Sequence, residues 1–221
     1  MFFMSFHGAL SHILWPQSCP LCGRLSKAIC PDCLIFLVEK NNPVCLECFR
    51  PFPCDSHGKN APFLVFGALH RKEAKQLVHM LKYGGNKALG RPLGRVVAQT
   101  INLPKEVDCI VPVPLHRKSG RPFNQALEIA RGVSEILKVP VKDGLEWTGG
   151  EKPQVGKASL ERKQLSAGAL RLSGKITDST AMSVLLVDDV CTTGTTLRRC
   201  AEALRSGTLH VTGALVWTLS G

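Results

Sequence analysis

Two groups of residues in this chain have the types and spacing that chemistry needs. In the first, "VLLVDDVCTTGTTL" (184–197), an apolar run passes into two adjacent acids and then into hydroxyl residues around one glycine. Asp188 and Asp189 are acceptors at neutral pH, and neighbouring carboxylates suit the vicinal hydroxyls of a ribose or a hydrated Mg2+. Thr192, Thr193, Thr195 and Thr196 add hydroxyl donors, and Gly194 permits a tight turn. A helix starting there turns its first N–H groups and its dipole toward a phosphate. The run therefore reads as acids for a diol and donors for the phosphate on the same sugar. It has neither the Gly-Lys-Ser/Thr of a P-loop nor the G-x-G-x-x-G of a dinucleotide fold. An acidic turn before a threonine-capped helix would explain one threonine, but not the acids and the whole run.

The second group is cysteine-rich. Seven of ten cysteines fall between positions 19 and 54, as Cys19-x-x-Cys22, Cys30-x-x-Cys33, Cys45-x-x-Cys48 and Cys54-x-x-His57. A two-residue gap lets both side chains of a turn reach one tetrahedral Zn2+, at about 2.3 Å per sulfur. A chain read as meeting a reducing compartment is not expected to form disulfides, and a redox centre needs one reactive pair rather than four. Sequential pairing gives an all-thiolate site (Cys19, Cys22, Cys30, Cys33) and a mixed site (Cys45, Cys48, Cys54, His57); a cross-braced arrangement is the alternative. Such closed sites hold a small fold together and leave no open coordination position. The remaining cysteines read as structural: Cys191 as a small side chain in the loop, Cys109 and Cys200 as core.

The formal charge of +11 is unevenly spread: residues 1–60 hold five Lys/Arg and four Asp/Glu. Between 61 and 100, seven basic residues face Glu73 alone. Arg71, Lys75 and Lys82 share one side of an expected helix and are candidates for nucleic-acid phosphates, with a merely solvated basic face as the alternative. Seven thiolates and two Zn2+ would add −3 to the N-terminal module, so a basic surface should lie on the rest of the chain. No run of eighteen apolar residues exists, so no membrane insertion is expected. The opening "MFFMSFHGALSHILW" lacks a basic n-region and a small-residue cleavage site, and reads as an amphipathic helix. Cytoplasmic location is the expectation.

The elements that must position these groups alternate. "FLVFGAL" reads as a strand, "RKEAKQLVHMLKY" as a helix, with a second helix near 90–101. "VDCIVPVPL" (107–115) reads as a strand covered on both faces, followed by the loop "HRKSGRP" and a helix from about Asn124 to Leu137. "MSVLLVDD" is a strand, "TTLRRCAEALRSG" a helix stopped at Gly207, and "LHVTGALVWTL" a closing strand. Alternating strands and helices imply an α/β fold with a parallel sheet, whose ligands sit beyond the carboxyl ends of the strands. "DSHGKNAP" (55–62) marks a boundary between a Cys-rich module, 1–60, and a larger domain, 61–221.

Together, "VLLVDDVCTTGTTL", the Cys-x-x-Cys pairs, "LKYGG", "VPVPLHRKSGRPFNQA" and "PQVGKASLERKQL" resemble the ComF family, which is amidophosphoribosyltransferase-like and named for competence. The resemblance implies a type I phosphoribosyltransferase domain preceded by a zinc-ribbon-like module. It implies that Asp188 and Asp189 hold the ribose hydroxyls of phosphoribosyl pyrophosphate (PRPP), and that residues 192–196 (Thr192, Thr193, Gly194, Thr195, Thr196) hold its 5′-phosphate. Arg117, Lys118 and Arg121 would face pyrophosphate, with Mg2+ accompanying it, while Lys157 and Arg162 would lie in a flap. The chain departs from the family at Pro122, where glycine is expected, and at Gln164 and Leu170, where Asn and Phe are expected.

The implied reaction is glycosyl transfer from PRPP, with Asp188 and Asp189 as the catalytic pair and no residue marked by sequence as a general base. The competing reading is a non-catalytic PRPP sensor or scaffold that binds single-stranded DNA, for which Tyr83 is the most suggestive stacking residue. A third makes the zinc module a docking surface for DNA-import or recombination proteins.

Overall fold

The computed structural model describes residues 18–26, 28–116, 119–147, 170–173, 182–205 and 209–220. The expected N-terminal helix, Gly207, Arg117, Lys118, Lys157, Arg162 and Gln164 lie outside these residues.

In chain order the elements are α1 (Pro31–Leu37), β1 (Val44–Cys45), β2 (Phe63–Leu69), α2 (Lys72–Lys82), a 3-10 turn (Lys87–Leu89), α3 (Gly90–Thr100), β3 (Cys109–Pro112), α4 (Gln125–Leu137), β4 (Leu145–Trp147), β5 (Leu170–Leu172), β6 (Met182–Cys191), α5 (Thr195–Arg205) and β7 (Leu209–Leu219). Five strands form one sheet in the order β1-β2-β7-β6-β3, and β4 and β5 form a separate pair. All neighbours in the large sheet run parallel except the antiparallel edge pair, in which Val44 faces Leu64 and Cys45 faces Phe63. The α/β architecture with a parallel sheet is thus the observed one. The edge strand β1 was not foreseen: it brings a residue of the Cys-rich module, Cys45, into the sheet of the larger domain.

The central strands are apolar because both faces are covered. One core holds Phe63, Val65, Leu185, Val187, Leu215 and Trp217 against α2, α3 and α4. The other holds Leu64, Val184, Leu186, Ala214 and Val216 against Leu197, Cys200 and Leu204 of α5. The Trp217 indole N–H, fully buried, donates to Ala74 O at 3.3 Å, so its polar edge has a partner in α2. Helices α3 and α4 pack backbone to backbone. A Cβ on Gly94 would fall 2.0 Å from Ile129 O, and one on Gly132 would fall 2.1 Å from Arg91 O. Only glycine permits that approach.

The expected strand at 107–115 is confined to Cys109–Pro112, because beyond it the chain departs from β6 to form the loop over the sheet. Conversely β6 runs past the acids to Cys191, since β7 pairs with it as far as Leu219. Cys109, Cys191 and Cys200 are all buried.

Candidate functional site

Both chemical groups find their place at the carboxyl ends of the strands or against the sheet's edge. The acids lie near the end of β6, where alternate residues turn to opposite faces. A cleft of about 340 Å³ opens there, lined by Asp188, Asp189, Val190, Thr192 and Thr196 on one side and by Ser119, Arg121, Asn124, Gln125, His116 and Trp147 on the other. The structure therefore brings together the two acids, Thr192 and Thr196 of the threonine loop, and Arg121.

Asp189 is 5% exposed, and its Oδ2 lies 3.0 Å from the ammonium of Lys82, itself only 17% exposed. The ammonium compensates the buried charge, and no other donor among the described residues reaches Oδ2. Asp188 is half-buried, and its Oδ1 accepts the Asp189 N–H at 2.8 Å. Burial, and next the negative charge of Asp189, push its carboxyl well above the usual range. Two acids this close favour a cation or a hydroxyl donor between them.

Lys82 was grouped with Arg71 and Lys75 as a nucleic-acid candidate. The structure separates them: Arg71 and Lys75 are exposed on α2, while Lys82 turns into the cleft at its C-terminal end. His70 reports the same field. Its Nδ1 pairs with Thr218 Oγ1 at 2.8 Å, and burial, with the charges of Lys75 and Lys82, holds it below the ordinary imidazole range.

The opposite wall explains the "RPFNQA" stretch. Asn124 caps α4: its Oδ1 accepts from Ala126 N at 3.0 Å and its Nδ2 donates to Val113 O at 2.9 Å, tying helix to strand. Arg121 donates to Gln125 Oε1 at 3.2 Å and lies 5.8 Å from the ring centroid of Tyr83, which is 67% exposed. Trp147 Nε1 donates to Pro114 O at 2.8 Å, and its ring meets His116 edge-on at 5.1 Å. Leu170, expected within the flap, begins β5 and pairs with Trp147. Sequence reasoning missed Lys82, His116 and Trp147 as cleft residues. The only available signal was "LKYGG" for Lys82; the other two arrive through loop and strand placement.

In the threonine loop, Gly194 adopts φ +71, a conformation that favours glycine. Thr193 and Thr195 hydroxyls share a hydrogen bond at 2.9 Å, and α5 starts immediately behind them. Burial pushes the Cys191 thiol up to about 11, so it stays neutral and fills space.

The metal-ligating residues gather sequentially rather than cross-braced. Cys19, Cys22, Cys30 and Cys33 form one cluster, and Cys45, Cys48, Cys54 and His57 another, each with its donor atoms within 4.8 Å of one another. Sulfur separations of 3.6 Å (Cys22–Cys30, Cys48–Cys54) are far too long for a disulfide and match the edge of a zinc–thiolate tetrahedron, about 3.7 Å. His57 Nδ1 stands 3.4 Å from Cys54 Sγ and 3.7 Å from Cys45 Sγ. Burial opposes ionisation at Cys19 and Cys54, yet hydrogen bonds bring each down to about 6: backbone groups at Cys19, His57 at Cys54. Cys33 goes up to about 12 through the bond it shares with Cys30, and Cys45 up to about 11 through burial. Four donors at this spacing cannot all ionise side by side without a cation, so both sets fit one metal ion each.

Residues 90–216 match the family described as the phosphoribosyl transferase domain, and the chain belongs to that family. Among curated relatives, Competence protein F of Haemophilus influenzae is 28% identical over 153 residues, 65% of this chain and 66% of that protein. Among solved structures, the glutamine PRPP amidotransferase from B. subtilis is 21% identical with a TM-score of 0.43, covering 63% of this chain and 30% of that one. The adenine phosphoribosyltransferase from Leishmania tarentolae is 10% identical with a TM-score of 0.41, covering 74% and 92%.

Proposed function

We propose that this protein binds PRPP at the β6–α5 cleft and acts as a phosphoribosyltransferase-like protein of the competence protein F type. One observation carries the reading: paired acids beside Lys82, a glycine-turned threonine loop and Arg121 meet in one cleft. In this reading Asp188 and Asp189 take the ribose hydroxyls, and residues 192–196 take the 5′-phosphate at the start of α5. Lys82 and Arg121 neutralise the pyrophosphate, together with Arg117 and Lys118 in the same loop. Arg162 belongs to the flap. Mg2+ arrives bound to the substrate and would supply further charge neutralisation. Each cysteine cluster holds one Zn2+ with a structural role.

If turnover occurs, the C1–O bond to pyrophosphate breaks with its electron pair leaving on oxygen, and an acceptor nucleophile bonds to C1 and loses a proton. Positioning and charge neutralisation supply the catalysis. A second reading rests on exposed basic and aromatic residues along α2. In it the cleft senses PRPP, while exposed Arg71 and Lys75 near the start of α2 and exposed Tyr83 at its end engage single-stranded DNA. The name of the Haemophilus relative links both readings to competence; DNA uptake, with import or recombination proteins as partners, belongs to the proposal. Among the described residues no helix is long and apolar enough to cross a membrane, and cytoplasmic location belongs to the proposal.

Calorimetric titration with Mg2+ and PRPP should give binding that the double substitution Asp188→Asn, Asp189→Asn removes; undiminished affinity would discard the site. Pyrophosphate release with a panel of bases and amines distinguishes enzyme from sensor. A single-stranded DNA affinity that stays flat with salt would count against the DNA role.

A further inference from the structure

The phosphate loop touches the second metal cluster, and one side chain spans the two. Arg198 lies in the first turns of α5. Its Nη1 donates to Leu46 O at 3.0 Å and its Nη2 to Thr193 O at 2.6 Å. Leu46 follows Cys45 inside the Cys45–Cys48 turn, is fully buried, and donates its own N–H to Pro62 O at 2.9 Å. Phe49, the residue after Cys48, makes a second contact. A Cβ placed on Gly194 would fall 2.9 Å from Arg198 Nη1 and 3.1 Å from Phe49 Cζ. A guanidinium is a rigid planar fork, so its two bonds fix one carbonyl relative to the other. Here one carbonyl belongs to the metal turn and the other to the peptide that enters Gly194.

We propose that Arg198 is a positioning residue that couples the Cys45, Cys48, Cys54 and His57 metal cluster to the 192–196 loop. Metal in this cluster fixes the Leu46 carbonyl, Arg198 carries that position to the Thr193 peptide, and the loop's donors then face a sugar phosphate without further ordering. Coupling of binding equilibria is reciprocal, so bound sugar phosphate raises this cluster's affinity for its metal and makes the metal harder to extract. The first cluster supplies an internal control. Cys19 and Cys30 pack into the core on the opposite face, with the helices α2 to α4. The inference rests on reading 192–196 as the phosphate loop.

The test combines two measurements on the full zinc-loaded chain: titration with Mg2+ and PRPP, and zinc extraction by a chromogenic chelator with and without saturating PRPP. Arg198→Ala should weaken PRPP about tenfold. Arg198→Lys should recover only part of that loss, because an ammonium has no fork, and Arg199→Ala, an exposed neighbour, should change nothing. PRPP should slow extraction of one zinc severalfold in the wild type and not in Arg198→Ala, and leave the other zinc unaffected. A wild-type protein that fails to bind PRPP overturns the phosphate-loop reading and the coupling with it. A wild type that binds PRPP while Arg198→Ala binds equally well, with both zinc rates indifferent to PRPP, overturns the coupling alone. A lower melting temperature in Arg198→Ala with the zinc protection intact gives Arg198 a purely structural role and also overturns it.

Discussion

The first metal cluster sits beside α1, with Cys19, Cys30 and Leu34 buried in the core that contains Trp217 and Leu93. The second grows out of the edge strand β1, and its Leu46 is buried in the opposite core with Leu197 and Leu204. The two use the same Cys-x-x-Cys turn and gather four donors in the same space. They differ in what lies next to them. The first meets the helices α2 to α4, whereas the second lies one side chain from Thr193 and Gly194. Two clusters of similar spacing, one all-thiolate and one completed by His57, thus have different neighbours, and the neighbour decides what each can position.

The contrast is broken most severely by removing a ligand from each cluster. Cys54→Ser should release its metal, lower the melting temperature by about 10 °C, and weaken PRPP more than about tenfold. Cys22→Ser, in the first cluster, should also lower stability but leave the PRPP affinity of the folded protein within about twofold. Thermal melts paired with calorimetry read both, and equal affinity losses from the two variants would erase the distinction.

Gly194→Ala comes next. It places a Cβ at φ +71 and against Arg198 and Phe49. A stability loss of about 1–2 kcal/mol and a severalfold weaker PRPP titration are expected.

A smaller effect isolates the cleft's own acids. The Asp188 carboxyl is raised in the folded state, so the folded protein holds that proton more tightly than the unfolded chain does. Its contribution to stability is complete below the unfolded carboxylate range and is lost as pH rises through the raised value. Asp188→Asn should therefore melt higher than the wild type at pH 8, by roughly 1 kcal/mol, and equally at pH 4, while losing PRPP affinity. Melting curves at the two pH values check the sign.

The smallest effect belongs to the first cluster's surface. Arg24 and Asp32 pair at 2.9 Å with both side chains more than two-thirds exposed. Arg24→Ala should change stability by less than about 0.5 kcal/mol and PRPP binding not at all, by denaturant titration and calorimetry.

Much of this was readable along the chain. The helix Gln125–Leu137 was expected from about Asn124, and the structure makes Asn124 its cap, because a capping amide and an apolar face are local signals. β7 matches "LHVTGALVWTL" residue for residue, since a strand covered on both faces is apolar throughout. Lys82 misled: its spacing with Arg71 and Lys75 put it on a basic face, but α2 ends at the cleft and Asp189 captures it. Trp147 was invisible as a cleft residue, because β4 pairs with β5 across a gap of more than twenty residues and no periodicity announces such a contact, whereas His116 lies in the loop already expected at the strand ends.

The sequence by itself determined the ligand types and their spacing: paired acids, a glycine-hinged threonine turn, and eight candidate metal donors at two-residue gaps, whose sequential grouping the structure decided. Those follow from local stereochemistry, because neighbouring residues set the reach of a turn and the handedness of a glycine. Only the tertiary structure decided which groups meet. It placed Cys45 on the sheet's edge, Lys82 against Asp189, and Arg198 between Leu46 and Thr193, contacts made by packing elements distant in the chain.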